Sequence, residues 1–70
     1  MFPVPILKFT PEGNFLNEYE SVTDAANSNN ITRSSIIRCA SGDRKTGGGF
    51  KWRYVHEISR EEYLQITRNF

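Results

Sequence analysis

Apolar and polar positions change their spacing several times along the chain, and each change marks an element. Met1 to Pro5 holds two prolines and is predicted to be extended. Ile6 to Phe9 follows as a strand, whose edge start tolerates a missing proline N–H. Thr10-Pro11-Glu12-Gly13 fits a type I turn, with Pro second and Gly supplying positive φ, so the chain doubles back into a return strand over Asn14 to Glu20. From Ser21 to Gly42 the spacing turns helical and is broken once. Ser21 suits an N-cap, Asp24 brings a negative charge to the first turn, and Ala25-Ala26 favour helix. Asn27-Ser28-Asn29-Asn30 ends that helix, because these side chains compete for backbone hydrogen bonds and Asn tolerates left-handed backbone. Thr32 then caps a second helix of about eight residues, and Gly42 sits where the residue after a helix takes positive φ. Ile36, Cys39 and Ala40 fall at i, i+3 and i+4 as its buried stripe, leaving Arg33, Ser34 and Arg38 outward.

Asp43 to Gly49 reads as a flexible loop whose three glycines serve as a crossover. Phe50-Lys51-Trp52-Arg53-Tyr54 alternates aromatic with basic residues, the period of two of a half-buried strand, with its aromatics toward the core and its cations toward water or a ligand. His56-Glu57 lies in a connector. Ser59-Arg60-Glu61-Glu62 matches a capping box, in which Ser59 accepts from the Glu62 backbone and the Glu62 carboxylate reaches back to Ser59. A final helix to about Arg68 has only a partial apolar face in Tyr63, Leu64 and Ile66. The expected class is α+β: a small three-stranded antiparallel sheet with an inserted helix-turn-helix and a short C-terminal helix. Residues 1–70 are expected to form a single module, with a core over 6–54 and the helix over 59–68.

Composition narrows the function more than it changes the fold. A chain of 70 residues buries only about 60% of its unfolded surface, and with 13% aromatic residues the large rings carry much of the packing. The lone Cys39 excludes an internal disulfide and a cysteine-based zinc site. No apolar run reaches membrane length and MFPVPILKF lacks a charged leader, so a cytoplasmic, non-secreted protein is expected. A formal net charge of +1 hides a strong asymmetry. Between Ile31 and Arg53, Arg33, Arg38, Arg44, Lys45, Lys51 and Arg53 face a single acid, Asp43, whereas the first thirty residues set Lys8 against Glu12, Glu18, Glu20 and Asp24. A polyanion would be met by one region of the chain.

Catalytic chemistry finds little footing. His56 is the only histidine, Cys39 falls on an inner helix face, and Glu61 and Glu62 are matched to a helix N-terminus. Gly47-Gly48-Gly49 follows Lys45-Thr46 and precedes a strand, the reverse of a phosphate-binding loop. The basic region suits DNA. A second helix carrying Arg33, Ser34, Ser35 and Arg38 after a Thr32 cap has the donors that read base edges and phosphates in a major groove. Ile37 interrupts this face, either completing the core stripe or touching a thymine methyl. Arg44, Lys45 and Thr46 follow where phosphates would pass, and Lys51 and Arg53 are further candidates on the strand.

The turn EGNF, the stretch EYESVTDAA, the segment ITRSSIIRCASG and the ending GGGFKWRY together resemble the nuclease-associated modular DNA-binding repeat, also called the intron-encoded nuclease repeat. The resemblance runs from about Ile6 to Tyr54. It implies a helix-turn-helix flanked by short strands, found beside HNH or GIY-YIG catalytic domains of homing endonucleases, where it helps grip a long target, with Thr32 to Ala40 as the recognition helix. Ile37 stands where that family leads one to expect a polar residue, and neither catalytic motif is present in the chain. The expected protein is therefore not itself an enzyme. It binds double-stranded DNA, with a nuclease domain in a parent chain as a further candidate partner, and uses no metal, cofactor, small-molecule substrate or membrane. The alternatives are a small DNA-binding regulator with no nuclease link and a protein-interaction module. RNA is a weaker candidate, because the outward face lacks stacking aromatics.

Overall fold

The structure, a computed structural model, describes residues 4–68, so the expected extended chain over Met1 to Pro3 lies outside the described residues. The order of elements is β1 (Ile6–Phe9), β2 (Phe15–Tyr19), α1 (Val22–Asn29), α2 (Arg33–Ala40), β3 (Lys51–Tyr54), a 3-10 turn (Val55–Glu57) and α3 (Arg60–Arg68). The α+β class is as expected. The three strands pair antiparallel in the order β2-β1-β3, which puts the first strand in the middle.

The β1–β2 turn closes as its sequence predicts: Gly13 donates to the Thr10 carbonyl at 2.8 Å and takes a φ of 100°. Below the turn Phe9 faces Phe15 while Lys8 faces Asn17, so Leu16 is an extra residue in the ladder, a bulge that adds twist.

Both helices of the central pair begin and end on their own side chains and backbone. The Ser21 hydroxyl accepts from the Asp24 N–H, and the Thr32 hydroxyl accepts from the Ser35 N–H. At the far end of α1, Asn30 alone takes the left-handed conformation, with φ 56°. Its N–H points to the Asn27 carbonyl and that of Ile31 to Ala26. The same double closure ends α2. Gly42 donates to Cys39 and Asp43 to Arg38, with Gly42 at φ 93°. This pattern satisfies carbonyls that a helix end otherwise leaves open.

On one face of the sheet, Ile6 and Trp52 pack with Ala25, Ala26, Ile36 and Cys39 into the core, ringed by Tyr19, Val22, Ile31, Ala40, Phe50 and Tyr54. Lys8 shares this face. Its ammonium sits 3.9 Å from the centre of the Phe50 ring and donates to the Asn29 side chain, which in turn donates to the Tyr19 hydroxyl and the Ala25 carbonyl. One cation thus ties β1, β2 and α1 together.

The glycine run departs from expectation. It is a tight turn rather than a flexible crossover: Gly47 and Phe50 exchange backbone hydrogen bonds, and the buried Trp52 indole donates to the Gly47 carbonyl at 2.8 Å. A Cβ on Gly47 would lie 2.6 Å from the Ser35 carbonyl oxygen, so only glycine lets this turn rest on the backbone of α2.

The second face of the sheet is also covered, and this the alternation in β3 does not foretell. Leu7 alternates with Ile6 and points away from α1 and α2, yet it is fully buried. Its two lateral partners in the sheet are Glu18 and Arg53. Both reach α3: the Tyr63 hydroxyl donates to Glu18 at 2.6 Å and Arg53 pairs with Glu62 at 3.0 Å. Accepting the phenol proton, the Glu18 carboxylate raises the Tyr63 pKa above its ordinary value, helped by partial burial and by the nearby negative charge. The capping box is half realised. Ser59 accepts from the Glu62 N–H, but the Glu62 carboxylate is spent on Arg53 instead of turning back. Among the described residues no helix is long and apolar enough to cross a membrane.

Candidate nucleic-acid interface

The face of α2 turned away from the core carries Arg33, Ser34, Ile37 and Arg38, all exposed. Eight residues make little more than two turns, so Arg33 and Ile37 form one short row and Ser34 and Arg38 the next. Ile37 does not join the core stripe. The structure sets aside the core-stripe reading: the residue is 37% exposed, because Ile36 and Cys39 already fill the space under the helix.

The remaining candidates divide by what their polar atoms already do. The hydroxyls of Thr32 and Ser35 lie 3.0 Å apart and Thr32 also caps the helix, so both are engaged in holding the N-terminus of α2. Replacing Thr32 with Ala is expected to lower stability by about 1 kcal/mol, read as a shifted denaturant midpoint at unchanged slope; an unchanged midpoint would show the cap to be dispensable.

Past the end of α2 the loop folds back on the helix instead of swinging free. The Arg44 N–H donates to the Arg38 carbonyl at 3.3 Å, and the Cys39 thiol lies 3.6 Å from the Lys45 carbonyl. Cys39 therefore packs the loop against α2, as its inner position suggests. Arg44 and Lys45 are exposed, and with Gly42, Asp43 and Lys51 they line a shallow depression beside the edge strand β3. Thr46 is half-buried behind them.

Arg53 differs in its partner, not in its place: it shares the α3 side of the sheet with Lys51, two residues before it, but its guanidinium is paired with Glu62. By contrast, Arg33, Arg38, Arg44, Lys45 and Lys51 have no side-chain hydrogen bond or ion pair among the described residues. Five unpaired cations are thus carried by one helix, the loop after it and the neighbouring strand edge. Sequence reasoning finds all of these cations but cannot separate Arg53 from them, since the carboxylate that claims it belongs to an element whose position it does not give. Elsewhere, His56 is exposed and stacked on Tyr54, with ring centres 5.1 Å apart. Among the described residues no three His, Cys, Asp or Glu side chains gather as a metal cluster.

The chain is similar to a segment of several endonucleases. Over 53 residues, 74% of its length, it is 43% identical to the probable mobile endonuclease B of Enterobacteria phage T4, of which that segment makes up 20%. Two uncharacterized HNH endonucleases of Acanthamoeba polyphaga mimivirus match at 43% identity over 80% of the chain and at 32% over 89% of it, covering 14% and 19% of their own lengths. The chain thus spans a fifth or less of these curated relatives. No family model matches it, and no solved structure matches it. The chain is related to nucleases of the HNH and mobile type.

That relationship corrects the expectation of a protein that is not an enzyme. The segment is shared with proteins named as endonucleases, so the expectation of a protein apart from any enzyme does not stand. The expectation arose because a lone histidine and a missing catalytic string describe these 70 residues only, whereas the relatives carry the segment within far longer chains.

Proposed function

We propose that this chain is a DNA-gripping module of an HNH or mobile endonuclease, a helix-turn-helix whose α2 lies in the major groove of duplex DNA. The observation that carries the reading is the set of five unpaired cations along α2, the loop after it and the edge of β3. Arg60 and Arg68 on α3 have no partner among the described residues either, so it is the clustering of these five on adjoining elements that offers their charge together to an external polyanion. The endonuclease relatives support a nucleic acid as that polyanion, and they favour this reading over a DNA-binding regulator without any nuclease link. The exposed polar face of α2 supports base contacts, while Arg44, Lys45 and Lys51 suit phosphates.

Titration of the chain with random-sequence duplex DNA at several salt concentrations tests the proposal. Each phosphate neutralised adds about −0.9 to the slope of log affinity against log salt, so five cations predict a slope of about −4.5. A flat salt dependence, or no duplex binding at low salt, would return the chain to the class of protein-interaction modules.

A further inference from the structure

Ile37 is the one apolar side chain on the outward face of α2. It has Arg33 one turn behind it, and Ser34 and Arg38 beside it on the same exposed surface. It shares that surface with Arg33 and Arg38, whose guanidinium groups have no partner among the described residues. An isolated exposed isoleucine needs no explanation on an ordinary surface. Here it sits midway along the face that carries the unpaired charge, where any polyanion drawn by Arg33 and Arg38 must come to rest against it. The chemistry that suits both is a polyanion with an apolar group projecting among its acceptors. In the major groove the projecting apolar group is the 5-methyl of thymine, set among the hydrogen-bond donors and acceptors of the base edges.

We infer that Ile37 is a specificity-determining residue that packs on a thymine methyl, so that the target carries a thymine facing the middle of α2. The inference rests on the proposed function and adds to it which base is read and by what force. The contact removes roughly one methyl group from water, which corresponds to about a fourfold change in affinity.

The test uses a duplex site selected by the protein from a random pool, then remade with each thymine in turn replaced by deoxyuridine. That exchange deletes the methyl group and leaves pairing, charge and all acceptors in place. One such exchange is expected to weaken the native protein about three- to fivefold. Ile37→Ala should bind the thymine site that much more weakly and should be indifferent to the same exchange, whereas Ile37→Val, which keeps the branched carbon, should retain most of the discrimination. Because Ile37 lies outside the core and Ala favours helix, the variant is expected to stay folded.

The inference is overturned if no deoxyuridine exchange weakens binding, if the selected site has no thymine under α2, or if Ile37→Ala is as sensitive to the exchange as the native chain. It is equally overturned if Ile37→Ala changes the number of chains per duplex and leaves the thymine dependence intact, which would make Ile37 a contact between copies. In each of these cases salt-dependent duplex binding survives and the wider proposal stands. Loss of all duplex binding by the native chain would instead remove both.

Discussion

Trp52→Ala is expected to leave the chain unfolded at room temperature. The side chain is 2% exposed and is the largest in the core, meeting Ile6, Ile36 and the small residues of both helices. Truncating a buried tryptophan costs about 3 to 5 kcal/mol through lost burial and the cavity left behind, and a domain of this size has a total stability of only about 3 to 5 kcal/mol. Its loss would also orphan the Gly47 carbonyl, which accepts the indole N–H and holds the glycine turn against α2. Helical circular dichroism with a urea titration measures the effect. Trp52→Phe is the informative control: it keeps most of the volume and removes the hydrogen bond, so it should remain folded with a lower midpoint. A Trp52→Ala chain with native melting behaviour would mean that the sheet does not pack as described.

Arg38→Ala and Lys45→Ala are expected to weaken DNA binding in different ways. Arg38 projects from the exposed face of α2 one turn after Ser34, on the element proposed to enter the groove, and its guanidinium can present two donors to a guanine edge. Lys45 belongs to a loop pinned by the Cys39 contact at the rim of the site and can offer a point charge to the backbone. Removing Arg38 should therefore lose about 1 to 3 kcal/mol on a selected site and much less on random duplex. Removing Lys45 should weaken both by a similar factor and reduce the magnitude of the salt slope by about one. Equal losses on selected and random DNA for both variants would show that α2 does not read bases.

Those parts of the fold that depend on neighbours in the chain could be read from the residues alone. Ser21 and Thr32 announce the two helix starts, Asn30 and Gly42 the two ends, and Thr10 to Gly13 the hairpin, because each solves a backbone problem within four residues of itself. The alternation from Phe50 to Tyr54 likewise places Trp52 inside. What stayed hidden depends on surfaces meeting across the molecule. Nothing local says that Glu62 belongs to Arg53 and not to Ser59, or that Leu7 needs a second cover in α3. The rigidity of the glycine run depends on the Ser35 carbonyl and the Trp52 indole, neither of which is visible in the string of glycines itself. The candidate site was legible as a list of cations. Their division into five unpaired and one neutralised follows only from where α3 lies.

The central position of β1 sets the order in which the molecule can be completed. Its partner on one side arrives after a five-residue connection, whereas its partner on the other arrives only at Lys51 to Tyr54, after both α1 and α2. Closing that loop costs more entropy than closing the hairpin, and on a growing chain β3 is made well after β1, an interval in which one edge of β1 has no partner to pair with. During synthesis on the ribosome, that interval leaves unpaired N–H and C=O groups along β1 available to any passing strand, including the same segment of another nascent chain. Lys8, held in the finished sheet by Phe50 and Asn29, places a charge in the middle of that edge while it waits, and a charge there is a known guard against premature pairing.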